Sequence, residues 1–386
     1  MGRFPSEAFT TCMISNPKEI TKESNTPMGT PMYIPVRTPA SDGLYMPAEW
    51  TPHAACWLAW PCRSEIYYDL AALKRATAEV AAAISKFEPV KMLAGPDLAS
   101  EAAAMCGDGV EVIVQKSTDS WVRDSGPTYL VDGKGHIAGV DWMFNDWGHH
   151  PVNEKIDKPN TGETYDLGMT LLWLHKQKVR RYVAPFILEG GAFHVDGEGT
   201  LLVTEQCQFD PARNAGYSRG HLEELYRAYL GVEKVIWLGK GLEDDCTRGH
   251  VDILACFVAP GKVMLHNCTN PQDANYAVSQ DAIARLSEAT DAKGRSIEVI
   301  LMPEPAPKYV GNWRMDLSYI NFYIANGGIV MPSFDDDADN EAWEIMSKTF
   351  PDREVVQIPS LGIFQGGGGI HCITQQQPVG TPLPVF

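Results

Sequence analysis

The chain has 386 residues, 44% of them hydrophobic and 21% charged, a composition that supports a large buried core and excludes wholesale disorder. Its formal charge of −17 argues against nucleic acid, which needs clustered Lys and Arg, and favours a small cationic partner. Nine cysteines without a CxxC pair suggest neither a disulfide framework nor a zinc ribbon; a reducing, cytoplasmic setting is expected, and no apolar run reaches the length of a membrane span.

Residues 1–42 are rich in Thr, Ser, Pro and Met without periodicity and read as an extended or disordered arm ahead of a single domain over 43–386. The opening MGRFPS also matches the short myristoylation pattern at Gly2, one that often arises by chance. Leu70, Leu73, Thr77, Val80, Ile84 and Phe87 recur at helical spacing, and similar amphipathic stretches lie near 222–230, 274–289 and 343–350, with Gly231 placed to end the first of these three. Short strands echo through the chain: EPVKMLA at 88, VEVIV at 110, VEKVIWL at 232, IEVILM at 297 and REVVQI at 353. This is a weak helix-then-strand repeat of the kind that marks radially repeated units. Loops with glycine and polar groups precede further apolar strands in WVRDSGPTYLV, EGGAFHV, RGHVDILACFV, NGGIVMPSF and GGGGIHCIT. If the units surround an axis, those junctions meet at one place.

Several residues at the junctions could do chemistry. Cys372 follows four glycines and a histidine, a setting that presents a side chain at the start of a strand; a buried core cysteine is the plainer alternative. HVD occurs twice. Asp196 of the first copy opens the hairpin signal DGEGT, whereas His250 and Asp252 of the second follow Gly249 and precede ILACFV, so they are expected on one face of a strand start. Asp124 could be tied up by neighbouring Arg123, Glu189 ends the apolar run PFIL and needs a partner if buried, and Trp121 could be core or platform.

Taken together, MPAEW at 46, CWLAWP at 56, WVRDSGP at 121, LEGGAFHVDGEGTLL at 188, GHVD at 249, NFYIANGG at 321, PDREVV at 351 and GGGGIHCITQQQP at 366 resemble the agmatine deiminase family of the guanidine-modifying, or pentein, superfamily. The resemblance implies an α/β fold, a five-bladed pseudo-symmetric propeller of ββαβ-type units around a central site. It implies Cys372 as nucleophile, His250 as acid/base, Glu189 as its partner, Asp124 and Asp252 as guanidinium ligands, and Trp121 stacked beside the guanidinium, with no metal or organic cofactor. The expected partner is a small cationic guanidino substrate, with neither nucleic acid nor membrane, and the chain is expected to form a homo-oligomer, dimer or tetramer. The leading reading is hydrolysis of agmatine to N-carbamoylputrescine and ammonia through a cysteine thiouronium, in a polyamine-forming role. The alternatives are deimination of another alkylguanidine or of a peptidyl arginine, amidinotransfer, and a non-catalytic binding propeller. Gly369, Ile253, Arg248 and Cys246 depart from the family pattern. Cys246 stands where an acidic side chain usually meets the distal amine, and Glu243, Asp244 or Asp245 could substitute.

Overall fold

The computed structural model describes residues 37–64, 67–117, 119–149 and 169–384. Residues 1–36 of the expected arm, with the Gly2 pattern, lie outside them. Its last residues fold: Ala40–Asp42 form a 3-10 turn, and Asp42 meets Arg180 at 3.5 Å and the Tyr182 hydroxyl.

The first long helix follows from its local sequence. In α1 (Leu70–Ile84) the face carrying Leu73, Thr77, Val80 and Ile84 is buried, and the Asp69 carboxylate accepts from Ala72 N at 2.9 Å. Such a cap contributes about 1 kcal/mol. A helix leaving one strand brings the chain back parallel to it. Accordingly α1 joins β1 (His53–Ala59) to its parallel neighbour β2 (Val90–Ala94), and α2 (Ala99–Cys106) leads to a further parallel strand, β3 (Val110–Val114).

Four more units repeat the pattern with a complete hairpin. In each, two antiparallel strands are followed by a helix and by a strand parallel to the second. They are β4 (Thr128–Val131), β5 (His136–Met143), α3 (Met169–Lys176) and β6 (Arg180–Ile187); then β7 (Phe193–Val195), β8 (Thr200–Thr204), α4 (Arg219–Leu230) and β9 (Lys234–Leu238). Next come β10 (Ala255–Ala259), β11 (Lys262–Asn267), α5 (Ala274–Glu288) and β12 (Glu298–Pro303). A ribbon of β13 (Tyr309–Val310) and β14 (Trp313–Arg314) precedes the last unit, β15 (Tyr323–Ala325), β16 (Gly328–Ser333), α6 (Asp339–Thr349) and β17 (Glu354–Pro359). Finally β18 (Gln375–Pro378) runs antiparallel to β1, completing the first unit's hairpin with the other end of the chain, and β19 (Thr381–Pro382) pairs with β5.

The mixed α/β class and the four helices expected from periodicity are present, and Gly231 ends α4 at φ 69°. Two expectations are corrected. VEVIV at 110 is the extra strand β3 of the first sheet, and the parallel strand that belongs in the series is β6, whose Pro185 disguised it. Proline is admissible there because, among the described residues, β6 pairs only with β5. In NGGIVMPSF, Asn326 and Gly327 make the turn between β15 and β16, with Gly327 at φ 84°. The junction of that unit is instead the segment before β15, which holds Asn321.

Candidate active site

The five segments preceding β4, β7, β10, β15 and β18 each deliver a polar side chain to one buried place. Trp121 and Asp124 sit at a single helical turn, Val122–Ser125; Glu189 precedes a 3-10 turn at Gly190–Ala192; His250 precedes another at Val251–Ile253. Asn321 and Cys372 lie in the remaining two. His250 thus precedes a 3-10 turn and Asp252 lies within it, rather than both standing at a strand start, and Cys372 stands in a turn ahead of β18. Tight turns let side chains two residues apart point to the same place, which a strand two residues long would also have done.

All the expected groups are buried: Trp121, Asp124, Glu189, His250, Asp252 and Cys372 are each 6% exposed or less. The Cys372 thiol lies 3.5 Å from Asp252 Oδ2, and Asn321 Nδ2 donates to it at 3.3 Å. His250 Nδ1 is 3.9 Å from Asp124 Oδ1, and His250 Nε2 is 3.7 Å from Glu189 Oε2. Asp124 accepts from the Trp147 indole at 2.9 Å and from Gly191 N at 2.8 Å. Arg123 turns away from it toward Glu49, at 3.4 Å, so the Arg123 to Asp124 pairing weighed from the sequence is not made. Glu189 is gripped by Arg213 Nε at 2.8 and 3.1 Å.

Gly191 explains how so many groups converge. A Cβ there would lie 2.6 Å from His250 Nδ1, 2.9 Å from Asp252 Oδ2 and 3.0 Å from Asp124 Oδ1. Hydrogen is the only side chain that leaves this point open. Both nitrogens of His250 and Oδ1 of Asp252 are buried without a hydrogen-bond partner among the described residues. Buried polar atoms left so cost about 1–3 kcal/mol each, and their clustering marks a place meant for a polar ligand. Beside them lies a small pocket lined by Trp121, Asp124, Trp147, Cys246, Thr247, Cys372 and two glycines.

The electrostatics are those of an anionic hole around a thiol. Burial, and then the charges of Asp252 and Asp124, push the Cys372 pKa well above its ordinary value. Burial opposes charge on His250, but Asp124 and Glu189 overcome it and raise its pKa to about 9. Burial likewise opposes charge on Glu189, and Arg213 with His250 brings it down to about 2. Asp124 is raised, by burial first, with Asp252 and Glu189 adding to the shift. A cation placed between Asp124 and Asp252 therefore lowers the affinity of His250 for its proton. Between pH 7 and 9 the Cys372→Ala protein should release protons on binding a guanidinium, and Cys372→Ala/His250→Asn should release far fewer. Calorimetry in buffers of different ionisation enthalpy reads the difference, and equal release from both would remove His250 from the site.

The other histidine of the repeated tripeptide faces elsewhere. His194 Nδ1 accepts from Phe257 N at 3.3 Å, and Asp196 Oδ1 closes the hairpin by accepting from Glu198 N and Thr200 N, both at 2.8 Å. Asp245 is likewise spent on its own loop, accepting from Thr247 N at 2.7 Å, Gly249 N at 2.6 Å and His250 N at 3.1 Å. It holds His250 in place and does not turn toward the pocket, while Glu243 lines a separate groove with Lys240 and Arg285. Gly369 has no room to be otherwise, since a Cβ would lie 2.4 Å from Asn321 Oδ1. Ile253 is core, and Arg248 pairs with Asp210 at 3.3 Å.

Glu49, Trp147, Arg213, Asn321 and His371 escaped the reading of individual residues. Glu49, Asn321 and His371 lie inside the segments MPAEW, NFYIANGG and GGGGIHC that carried the resemblance, and only their burial sets them apart. Among the described residues three donor groups have spacing that could hold a metal: Glu49, His194 and His371; Glu189, Cys207 and His250; Cys268, Asp273 and Glu304. In each an arginine already sits on a carboxylate: Arg123 on Glu49, Arg213 on Glu189, and Arg314 on both Asp273 and Glu304.

A family described as Porphyromonas-type peptidyl-arginine deiminase matches residues 45–378. The chain belongs to this family. It is 41% identical to an agmatine deiminase of Pseudomonas aeruginosa over 90% of this chain and 99% of that protein, and 42% identical to one of Stutzerimonas stutzeri over 88% and 97%. Among solved structures, an agmatine deiminase of Enterococcus faecalis is 35% identical and superposes with a TM-score of 0.83 over 90% of this chain and 99% of its own. As a member of this family the chain is a hydrolase acting on C–N bonds of amidines. No helix among its described residues is long and apolar enough to cross a membrane.

Proposed function

We propose that the chain hydrolyses agmatine to N-carbamoylputrescine and ammonia through a covalent intermediate on Cys372. The observation that carries the reading is the convergence of a thiol, two carboxylates and a histidine on the point left open by Gly191. A guanidinium is planar, and two carboxylates can grip its N–H groups and hold its carbon over sulfur. Asp124 and Asp252 supply that grip, with Trp121 beside it. The substrate's positive charge offsets the carboxylates that hold the Cys372 pKa up, so the thiol gives up its proton more readily when substrate is bound.

The thiolate then adds to the guanidinium carbon. His250, held as an imidazolium by Asp124 and Glu189, gives its proton to one nitrogen, the C–N bond breaks, and ammonia leaves an S-alkylthiouronium. Neutral His250 next takes a proton from water, whose oxygen adds to the same carbon; the C–S bond breaks and the ureido product departs. The same reading places the five ββαβ units as blades around this centre, with the site at their common end.

The distal end of the substrate decides the name of the reaction. Cys246 and Thr247 line the described part of the pocket where a carboxylate would suit an ammonium, and Asp245 is committed elsewhere. Ammonia and ureido product should form from agmatine with no added amine, which separates hydrolysis from amidinotransfer and from mere binding. Agmatine should exceed N-butylguanidine and peptidyl arginine in kcat/KM, and Cys246→Glu should widen the margin over N-butylguanidine. Equal rates on agmatine and N-butylguanidine would transfer the assignment to another guanidine.

A further inference from the structure

The two carboxylates that face the substrate site are held in different ways. Asp124 has only neutral partners at hydrogen-bond distance among the described residues, the Trp147 indole and Gly191 N–H, with His250 Nδ1 at 3.9 Å. Asp252 Oδ2 instead lies 2.8 Å from His371 Nδ1, and the other nitrogen of that ring, Nε2, lies 2.8 Å from Glu49 Oε1. A neutral imidazole carries one N–H and would set a lone pair against one of these carboxylates. With a carboxylate at each nitrogen the ring holds both protons and is a cation.

Glu49 is anchored from three sides. Arg123 Nη1 lies 3.4 Å from Oε1 and His194 Nε2 lies 3.3 Å from Oε2, in addition to His371. Glu49, His371 and Asp252 are each 5% exposed or less. Arg123 also donates from Nε to the His371 carbonyl at 3.3 Å and from its backbone N to the Cys372 carbonyl at 3.1 Å. Burial works against the Glu49 charge, but His371, His194 and Arg123 bring its pKa well below the ordinary value. The titratable groups facing His371 are therefore Glu49, Asp252, Arg123 and His194; those facing Asp252 are His371, His250, Asp124 and the Cys372 thiol.

We propose that His371, kept cationic by Glu49, is a positioning residue that holds Asp252 ionised in the empty site, with Oδ2 turned to His371 and Oδ1 left for the substrate guanidinium. Asp252 then has a cationic partner of its own at hydrogen-bond distance, which Asp124 lacks. This differs from a purely structural ion-pair chain in one respect. Without His371, burial raises the Asp252 pKa, so that its charge is present at high pH and lost as pH falls.

The inference rests on the guanidine-binding reading, and a binding test separates the two. Calorimetry with agmatine compares Cys372→Ala with Cys372→Ala/His371→Gln from pH 5.5 to 8.5, so that chemistry does not interfere and the titration of Asp124 cancels in the ratio. The affinity lost on removing His371 should be at least about twofold greater at pH 5.5 than at pH 8.5, the direction expected when a carboxylate that must be charged to bind has its pKa raised by burial. Loss for the N-carbamoyl product, whose ureido end carries no charge, should not depend on pH in this way. Glu49→Gln in the same background should act in the same direction, and it decides the matter if circular dichroism shows His371→Gln unfolded. A ratio constant across pH in a folded variant overturns the proposal. Wild type that releases no ammonia, together with Cys372→Ala that binds no guanidine, overturns the functional reading instead.

Discussion

Cys372→Ser should lose turnover by at least about four decades, the scale seen when a catalytic nucleophile is removed, while melting close to wild type. The hydroxyl can keep the contacts that the thiol makes with Asn321 Nδ2 and Asp252 Oδ2, so the fold has little to lose. Its proton is another matter. Burial, Asp252 and Asp124 already push even the thiol pKa up, and a serine alkoxide in that surrounding is out of reach near neutral pH. Ammonia release and thermal melting measured on the same preparation give the answer. Residual activity within tenfold of wild type would remove the covalent route through Cys372, and an adduct in wild type on another residue would do the same.

Gly191→Ala should be nearly as damaging, although it touches no functional group chemically. The added methyl would press on His250 Nδ1, Asp252 Oδ2 and Asp124 Oδ1 at once, at 2.6, 2.9 and 3.0 Å. None of these is the free end of a flexible chain: Asp252 is tied to His371, and Asp124 to Trp147 and Gly191 N itself. Displacing reacting groups by about 1 Å costs on the order of a hundredfold in rate, and overfilling a packed site costs about 1–3 kcal/mol of stability. We expect kcat/KM to fall at least a hundredfold with a modest drop in melting temperature. Gly95, where a Cβ would meet nothing within 4 Å, supplies the control, since Gly95→Ala should be silent. An active Gly191→Ala would mean that the ligand does not occupy the convergence point.

The long helices were legible because an apolar stripe repeated every three or four residues survives any change in tertiary context. The recurring parallel strands were legible for a related reason, being continuous apolar runs flanked by turns. β6 was not, because alternation broken by Pro185 does not look like a strand until its edge position is known. At the site, the choice between two HVD tripeptides rested on the turn signal after Asp196, whose carboxylate closes that turn. Asp245 misled for the opposite reason: an acidic residue beside the pocket looked available, yet its carboxylate closes the turn that carries His250. Glu49 and His371 were missed because what distinguishes them is a contact between residues 322 positions apart, which no local pattern records.

The pairing of β18 with β1 sets the order in which the protein can come to life. Cys372 is held in register by a strand that aligns Pro378 with His53 and Gln375 with Trp57, and by Arg123 N on its carbonyl. On a ribosome, Cys372 and β18 emerge after every residue that they face. Contacts of such large sequence separation form late and slowly. A nascent chain holding Asp124, Glu189 and His250 in place thus still lacks Cys372, which joins them only when β18 pairs with β1.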